Sequence, residues 1–230
     1  MDVLRACGVE SAEAFERHPH AGRFVPVQTI VDVDSMSRDV AACLGPGGED
    51  YENPLAAVYD LTAYVLGELG ANVRQHSRGS GYITAQSNAQ EGLVRLAVAD
   101  NGRGVRQSFV DAGLSWSFDL SDTAALRKAI EPRISSQGEP VNQGVGLTLV
   151  TGLARLTHAW LLIASGTGLL QMNPDGAVRE TVMPNGSRYQ GTLVALTFRR
   201  NKLQEFAILL HEAKQEAGLL VKRPVKGIFT

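Results

Sequence analysis

The chain has 230 residues, of which 44% are hydrophobic, so it is long and apolar enough to bury one substantial core. A formal net charge of -2 gives no general attraction to nucleic acid or to an anionic membrane surface, so neither is an expected partner. No uncharged apolar run approaches the roughly 18 residues of a membrane span. Cys7 and Cys43 have no metal-ligand spacing, and we expect a reduced, cytoplasmic protein.

Strands and helices are predicted along most of the chain after a mixed amino-terminal segment, residues 1–22. The first half predicts a strand over 24–33, a helix from a cap at Asp34 or Ser35 to about Leu44, a helix from near Asn53 to His76, and strands over 82–86 and 93–99. The second half predicts a helix over 121–130, a helix from about Gly144, strands over 160–164, 169–172 and 191–198 with an irregular hairpin before the last, and a closing helix capped by Asn201.

The stretch from Leu61 to His76 predicts an amphipathic helix, because its apolar residues recur at helical spacing. Glu68 and Asn72 lie four residues apart, so they share one helical face. Burying a carboxylate or an amide without partners costs on the order of a few kcal/mol. These two side chains therefore either bind something or lie in solvent beside the buried face.

The segment DNGRGV begins at Asp100, directly after a buried apolar strand. Asn-Gly is a strong turn signal, and a plain hairpin turn is one interpretation. The other is a binding loop, because a carboxylate that closes a buried strand needs a donor. Gly102 and Gly104 would also let the backbone approach a flat ligand closely.

A second glycine-containing segment, QGVGLTLV, opens a predicted helix. The N–H groups of its first turn are free to hold anionic oxygens. A polar loop precedes Gly144 and Gly146, whereas the dinucleotide-binding fingerprint follows a strand directly, so that alternative is disfavoured. The long polar segment before this helix, residues 106–143, is expected to form a functional lid.

These segments, Glu68-x3-Asn72-x3-His76, DNGRGV, IEPRISS, GVGLTLV and GTLVALTF, resemble in type and order the superfamily of gyrase, chaperone, histidine-kinase and mismatch-repair ATPases. The resemblance covers about residues 24–198 and is closest to the anti-sigma serine kinases and to the ATP-binding domains of histidine kinases. It implies a two-layer α/β sandwich (the Bergerat fold), with a mixed sheet and helices on one face. The implied ATP-binding domain is 23–199, followed by a carboxyl-terminal helix and tail, 200–230.

The resemblance also implies roles for individual residues. Asn72 would hold magnesium, Glu68 would orient a water or hydroxyl against the terminal phosphate of ATP, and Asp100 would accept a hydrogen bond from the adenine amine. His76, with Arg74 or Arg78, would add charge near the phosphates or simply lie in solvent. The other residues implied to contact the nucleotide are Gly102, Gly104, Val105, Gly144, Val145, Gly146, Leu147 and Thr192.

The sequence departs from the family pattern in two places that bear on function. Ile134 stands where sensor kinases have an aromatic residue, and no lysine after the second glycine segment obviously serves the terminal phosphate. A self-contained histidine kinase is not expected. The favoured interpretation is a kinase that phosphorylates serine or threonine in a small regulatory protein. The alternatives are a nucleotide-operated binding module, a slow ATPase working as a homodimer, and the ATP-binding half of a split histidine kinase.

Overall fold

A computed structural model describes residues 24–45, 55–132, 134 and 145–220. Its α-helices are α1 (Val33–Leu44), α2 (Ala56–Asn72), α3 (Gly104–Asp111), α4 (Asp122–Ala129), α5 (Gly146–Leu156) and α6 (Phe206–Glu216). Its strands are β1 (Phe24–Thr29), β2 (Gly81–Asn88), β3 (Leu93–Asp100), β4 (Trp160–Gly166), β5 (Gly168–Met172), β6 (Val178–Val182) and β7 (Tyr189–Arg199). No helix in these segments has the length and hydropathy needed to span a membrane.

The strands form one sheet in the order β1-β2-β3-β7-β4-β5-β6. Burial alternates along β3, where Val94, Leu96 and Val98 are buried and their neighbours are half-buried. The buried side chains of the sheet join those of α1, α2, α5 and α6 in one hydrophobic core. The predicted two-layer α/β sandwich is therefore confirmed.

The expectation of a mixed sheet is corrected, because every pair of described strands is antiparallel. The last strand, β7, lies between β3 and β4 and runs opposite to both. β3 and β4 therefore run in the same direction. Because β7 lies between them, they do not pair as parallel neighbours. The position of β7 also places the end of β3 at the centre of the sheet.

The predicted central helix is present, but its α-helical part ends at Asn72. A π-helical turn, Val73–Ser77, continues the chain, and Arg78 then takes a left-handed conformation with φ of 58°. Leu61, Val65 and Leu69 form the buried face of α2, as their spacing predicted. The predicted start near Asn53 lies outside the described residues.

Several predicted boundaries are wrong for identifiable reasons. The first strand ends at Thr29, and α1 is capped by Asp32, whose Oδ1 accepts a hydrogen bond of 3.1 Å from the N–H of Asp34. The short helix α3 lies in a region predicted to be irregular, and β6 lies in the predicted irregular hairpin. The closing helix α6 begins at Phe206 instead of Asn201, because a 3-10 turn intervenes.

Candidate functional site

A cleft lies between α2, α3, α5 and the central strands β3 and β7. Eight of the predicted site residues line it: Asn72, His76, Asp100, Gly104, Val105, Gly146, Leu147 and Thr192. Most of the remaining lining is apolar, contributed by side chains such as Val98, Phe109 and Val194. The structure thus brings the Asn72 amide and the Asp100 carboxylate, which lie on different elements, to one shared cleft.

Not every predicted site residue is found in the lining of the cleft. Gly102 and Val145 do not line the cleft, and Gly144 lies outside the described residues. Arg74 is exposed, and Arg78 forms an exposed ion pair of 3.3 Å with Asp111. These two arginines therefore match the alternative of solvated basic residues near the end of α2.

Glu68 lies beside the cleft and next to the beginning of α5. A methyl group added at Gly146 would lie 2.6 Å from Oε2 of Glu68 and 3.8 Å from Oδ1 of Asn72. The absence of a side chain at Gly146 therefore lets the first turn of α5 approach both polar groups of α2. This contact brings together the segment that carries Glu68 and Asn72 and the segment GVGLTLV.

Asp100 is a buried carboxylate at the end of β3, only 4% exposed. Its Oδ1 accepts a hydrogen bond of 2.8 Å from the N–H of Gly102. Burial raises the pKa of Asp100, and hydrogen bonds from Gly102, the Thr192 N–H and hydroxyl, and the Ser77 hydroxyl oppose that rise. Thr192, predicted at the base-binding end, thus contacts the predicted base-binding carboxylate.

The glycine at position 102 is required by packing within the protein. A methyl group there would lie 2.0 Å from the carbonyl oxygen of Ser77. Gly102 therefore packs against Ser77, the last residue of the π-helical turn, and it does not line the cleft. This contact attaches the DNGRGV loop to the end of the helix that carries Asn72.

His76 lines the cleft with a pKa that is lowered, first by burial and then by the nearby Arg103 guanidinium. The Arg103 Nε also donates a 2.6 Å hydrogen bond to the His76 carbonyl oxygen, while Arg103 pairs with Asp111 at 2.7 Å. A pKa below the ordinary value of 6.5 leaves the imidazole neutral at pH 7. His76 therefore brings little positive charge to the cleft.

The environment of Glu68 includes two residues that the sequence did not indicate. Burial raises the pKa of Glu68, whereas a hydrogen bond from the Tyr64 hydroxyl and the charge of Lys214 on α6 lower it. Tyr64 precedes Glu68 by one helical turn, a spacing that could have suggested the contact. Lys214 comes from a distant element, and no motif or spacing relates it to Glu68.

Ser165 is a third residue that the sequence did not indicate, and it fixes the loop after Asp100. Its buried hydroxyl accepts a hydrogen bond of 2.9 Å from the Val105 N–H and donates one of 2.8 Å to the Gly191 carbonyl oxygen. The hydroxyl therefore joins β4 to the start of α3 and to β7. These contacts hold Val105 at the edge of the cleft.

Ser165→Ala is expected to lower the free energy of unfolding by about 1–2 kcal/mol, because one buried and one partly buried backbone group lose their partner. Chemical denaturation of the two proteins measures the difference. Ser187→Ala is the matched control, since that exposed hydroxyl donates 2.6 Å to the Pro184 carbonyl oxygen and its loss should cost under about 0.5 kcal/mol. If the free energy of unfolding fell equally in the two variants, the buried hydroxyl of Ser165 would not contribute more than an exposed one.

The residues of the cleft fit the nucleotide that the sequence resemblance implies. An apolar zone with a buried carboxylate, Asp100, suits a flat base that bears an amine. Asn72 supplies the hard oxygen that magnesium prefers, and that ion needs only one or two protein ligands. The first turn of α5, beside Glu68 and Asn72, suits phosphate oxygens because its N–H groups lack intrahelical partners.

Comparison with known proteins adds no relative: no family model matches the chain, and no curated protein matches it significantly. The resemblance to the ATPase superfamily therefore stays a prediction from the order of its motifs.

Proposed function

We propose that this chain binds ATP with magnesium in the cleft and transfers the γ-phosphoryl group to a serine or threonine of a small regulatory protein. The observation that carries the proposal is the convergence of Asn72, Asp100 and the start of α5 on one cleft, with Glu68 at its edge. The three elements are far apart in sequence. Their meeting around a shared opening is what a binding site requires.

The adenine end of the proposed site is the buried carboxylate at the end of β3. A carboxylate accepts a hydrogen bond from the exocyclic amine of adenine, whereas guanine presents a carbonyl at that edge. Thr192 supports this assignment because it contacts Asp100 and also lines the cleft, where it would hold a water beside the base. The site should therefore prefer adenine to guanine nucleotides.

The phosphate end of the proposed site is the junction of α2 and α5. Asn72 would bind magnesium through Oδ1, and the N–H groups of the first turn of α5 would bind phosphate oxygens. When bound, the ion would neutralise charge on those oxygens. Gly146 supports this arrangement, because any side chain there would fill the space next to Asn72 and Glu68.

Glu68 is the proposed general base. As the acceptor hydroxyl oxygen forms its bond to the γ-phosphorus, the hydroxyl proton passes to the Glu68 carboxylate. The bond from that phosphorus to the bridging oxygen breaks, and ADP leaves. The raised pKa of Glu68 supports a role in proton transfer, since burial makes its carboxylate more basic than an exposed one.

Binding is tested first by thermal or chemical unfolding with magnesium and either ATP, ADP or GTP. A ligand present at ten times its dissociation constant should add about 1.4 kcal/mol to the free energy of unfolding. We expect this stabilisation from the adenine nucleotides at concentrations where GTP has no effect. Equal stabilisation by ATP and GTP would remove the case for adenine recognition.

A tryptophan near the cleft provides a second binding measurement. The ring of Trp116 lies 5.2 Å, centroid to centroid, from the ring of Phe109, which lines the cleft. The chain contains two tryptophans, so Trp160→Phe leaves Trp116 as the single reporter. The dissociation constant for ATP from its fluorescence should agree with the one calculated from the unfolding experiment.

Incubation with radiolabelled ATP and candidate small regulatory proteins distinguishes the proposed kinase activity from the alternative functions. Label on a partner serine or threonine supports the kinase, and label on histidine supports half of a split histidine kinase. ADP release without transfer indicates an ATPase, whose rate per protein would rise with concentration if a dimer is required. Binding without ADP release over hours indicates a nucleotide-operated module and contradicts a catalytic role for Glu68.

A further inference from the structure

Arg103 lies between the two glycines of the DNGRGV loop, and the motif resemblance assigns it no role. Its side chain is only 14% exposed and is bonded on two sides. The Nε donates a hydrogen bond of 2.6 Å to the His76 carbonyl oxygen, and Nη1 donates one of 2.7 Å to Oδ2 of Asp111. The guanidinium therefore connects the π-helical turn that follows α2 with the last residue of α3.

The backbone of the DNGRGV loop is bonded to the same π-helical turn. The Arg103 N–H donates a hydrogen bond of 2.9 Å to the Ser77 carbonyl oxygen. The last carbonyl groups of a helix have no intrahelical partner, and a basic side chain near them is a favourable one. Arg103 thus supplies donors to two consecutive carbonyl groups, those of His76 and Ser77, at the end of the turn that follows Asn72.

Asp111 holds the Arg103 guanidinium from the other side. Its Oδ1 accepts a hydrogen bond of 2.7 Å from Nε2 of Gln107, and its Oδ2 also pairs with Arg78 at 3.3 Å. The hydrogen bonds from Gln107 and Arg103 lower the pKa of Asp111, so its carboxylate is ionised at pH 7. The Arg78 side chain is 72% exposed, so Arg103 is the better shielded of the two cations.

The DNGRGV loop is also fixed to the sheet beside the proposed adenine end. Gln190 on β7 donates a hydrogen bond of 2.6 Å from Nε2 to the Gly102 carbonyl oxygen, and the Gly102 N–H donates to Asp100. The loop therefore has a fixed place relative to the Asp100 carboxylate. Arg103 then fixes the end of the helix that carries Asn72 relative to that loop.

We propose that Arg103 is a positioning residue that aligns the phosphate end of the cleft with its adenine end. The inference rests on the proposed function, because only a ligand that spans both ends requires this alignment. A ligand held at two places gains affinity from the second contact only when the geometry allows both contacts together. Loss of Arg103 should therefore weaken the binding of ATP much more than the binding of adenosine, which has no phosphates.

Arg103→Gln removes the guanidinium, and isothermal titration with adenosine and with ATP and magnesium measures the effect. We expect the affinity for ATP to fall roughly 10- to 100-fold, because part of the gain from simultaneous contacts is lost. The affinity for adenosine should stay close to the parental value. Arg103→Lys should restore ATP binding only in part, because an ammonium keeps the charge but lacks the planar fork that forms both bonds.

Arg106→Gln is the matched control. Arg106 lies on α3 and donates hydrogen bonds of 2.6 Å and 2.9 Å to the Leu120 and Phe118 carbonyl oxygens, and it does not line the cleft. The control therefore removes a cation that binds backbone carbonyl groups without connecting the two ends of the site. Its stability should fall, whereas the ratio of the affinities for ATP and adenosine should keep the parental value.

Asp111→Asn distinguishes positioning from a direct attraction between Arg103 and the phosphates. The change removes a negative charge, so an electrostatic effect alone would strengthen the binding of ATP. Because Asp111 holds the guanidinium, the inference predicts weaker binding of ATP, with adenosine again close to the parental value. Chemical denaturation shows whether each variant is folded, and Asp111→Asn supplies the test if Arg103→Gln is not.

Two results would overturn the inference and leave the proposed function intact, provided that the parent protein binds ATP. One is an equal proportional loss of affinity for ATP and adenosine in Arg103→Gln, which would make Arg103 a structural residue only. The other is tighter binding of ATP by Asp111→Asn, which would show an effect of charge instead of position. A parent protein that binds neither ATP nor adenosine would overturn the proposed function and this inference together.

Discussion

Asp100→Asn is expected to weaken ATP binding by about 1–3 kcal/mol and to abolish the preference for ATP over GTP. The amide places an N–H₂ group where one carboxylate oxygen stood, so it opposes the adenine amine and no longer excludes guanine. Isothermal titration of the variant and the parent with ATP and GTP measures both effects. The ratio of the two affinities is the sharper result, because general damage to the fold would lower both affinities together.

Asp122→Asn is the matched control for this substitution. Asp122 Oδ2 accepts hydrogen bonds of 2.8 Å and 3.0 Å from the N–H and hydroxyl of Thr167, and Asp122 does not line the cleft. Its change should lower stability while the ATP-to-GTP ratio stays at the parental value. If Asp100→Asn keeps the parental ratio, Asp100 has only the structural role that its bond to Gly102 already shows.

The fold class could be predicted because its signals are local. The period-two alternation of β3 and the helical spacing of Leu61, Val65 and Leu69 each require only one element to be recognised. Two residues of the cleft, Asn72 and Asp100, could be predicted for a related reason, whereas the roles of the other predicted residues came from the resemblance of their motifs. Asn72 and Asp100 are polar groups at the ends of apolar elements, and a buried polar group needs a partner.

The remaining features depend on contacts between distant parts of the chain. The antiparallel sheet follows from the insertion of β7 between β3 and β4, which no single segment indicates. Ser165 and Lys214 act on segments far away in sequence and lie in no motif. The helix α3 has no side-chain N-cap and only eight residues, so its sequence signal is weak.

Gly102 illustrates how a motif residue can have a different role from the one its motif suggests. Its position in DNGRGV predicted a surface for the base, but its contact is with the backbone at Ser77. A glycine permits close approach by any neighbour, and sequence alone does not say whether that neighbour is a ligand or another loop. Gly146, by contrast, faces both Glu68 and Asn72.

The environment of Glu68 favours the proposed kinase over a protein that only binds nucleotide. Its carboxylate is half-buried, is more basic than an exposed one, and lies at the junction of α2 and α5. Burial of a carboxylate destabilises the charged form. A site that only bound ATP would gain nothing from an anion near the terminal phosphate, which is itself negatively charged. In the proposed reaction this anion has a use, because it accepts the proton of the attacking hydroxyl.

Glu68→Gln is therefore expected to lower kcat by about 10²- to 10⁴-fold, the usual contribution of a general base, because an amide cannot accept the proton. The affinity for ATP, followed by Trp116 fluorescence, should stay within about twofold of the parent or become tighter as the negative charge is removed. Glu212→Gln on the exposed side of α6 is the control and should keep the parental kcat. An unimpaired Glu68→Gln variant would exclude Glu68 as the base, and an equal loss of affinity and kcat would make it a binding residue instead.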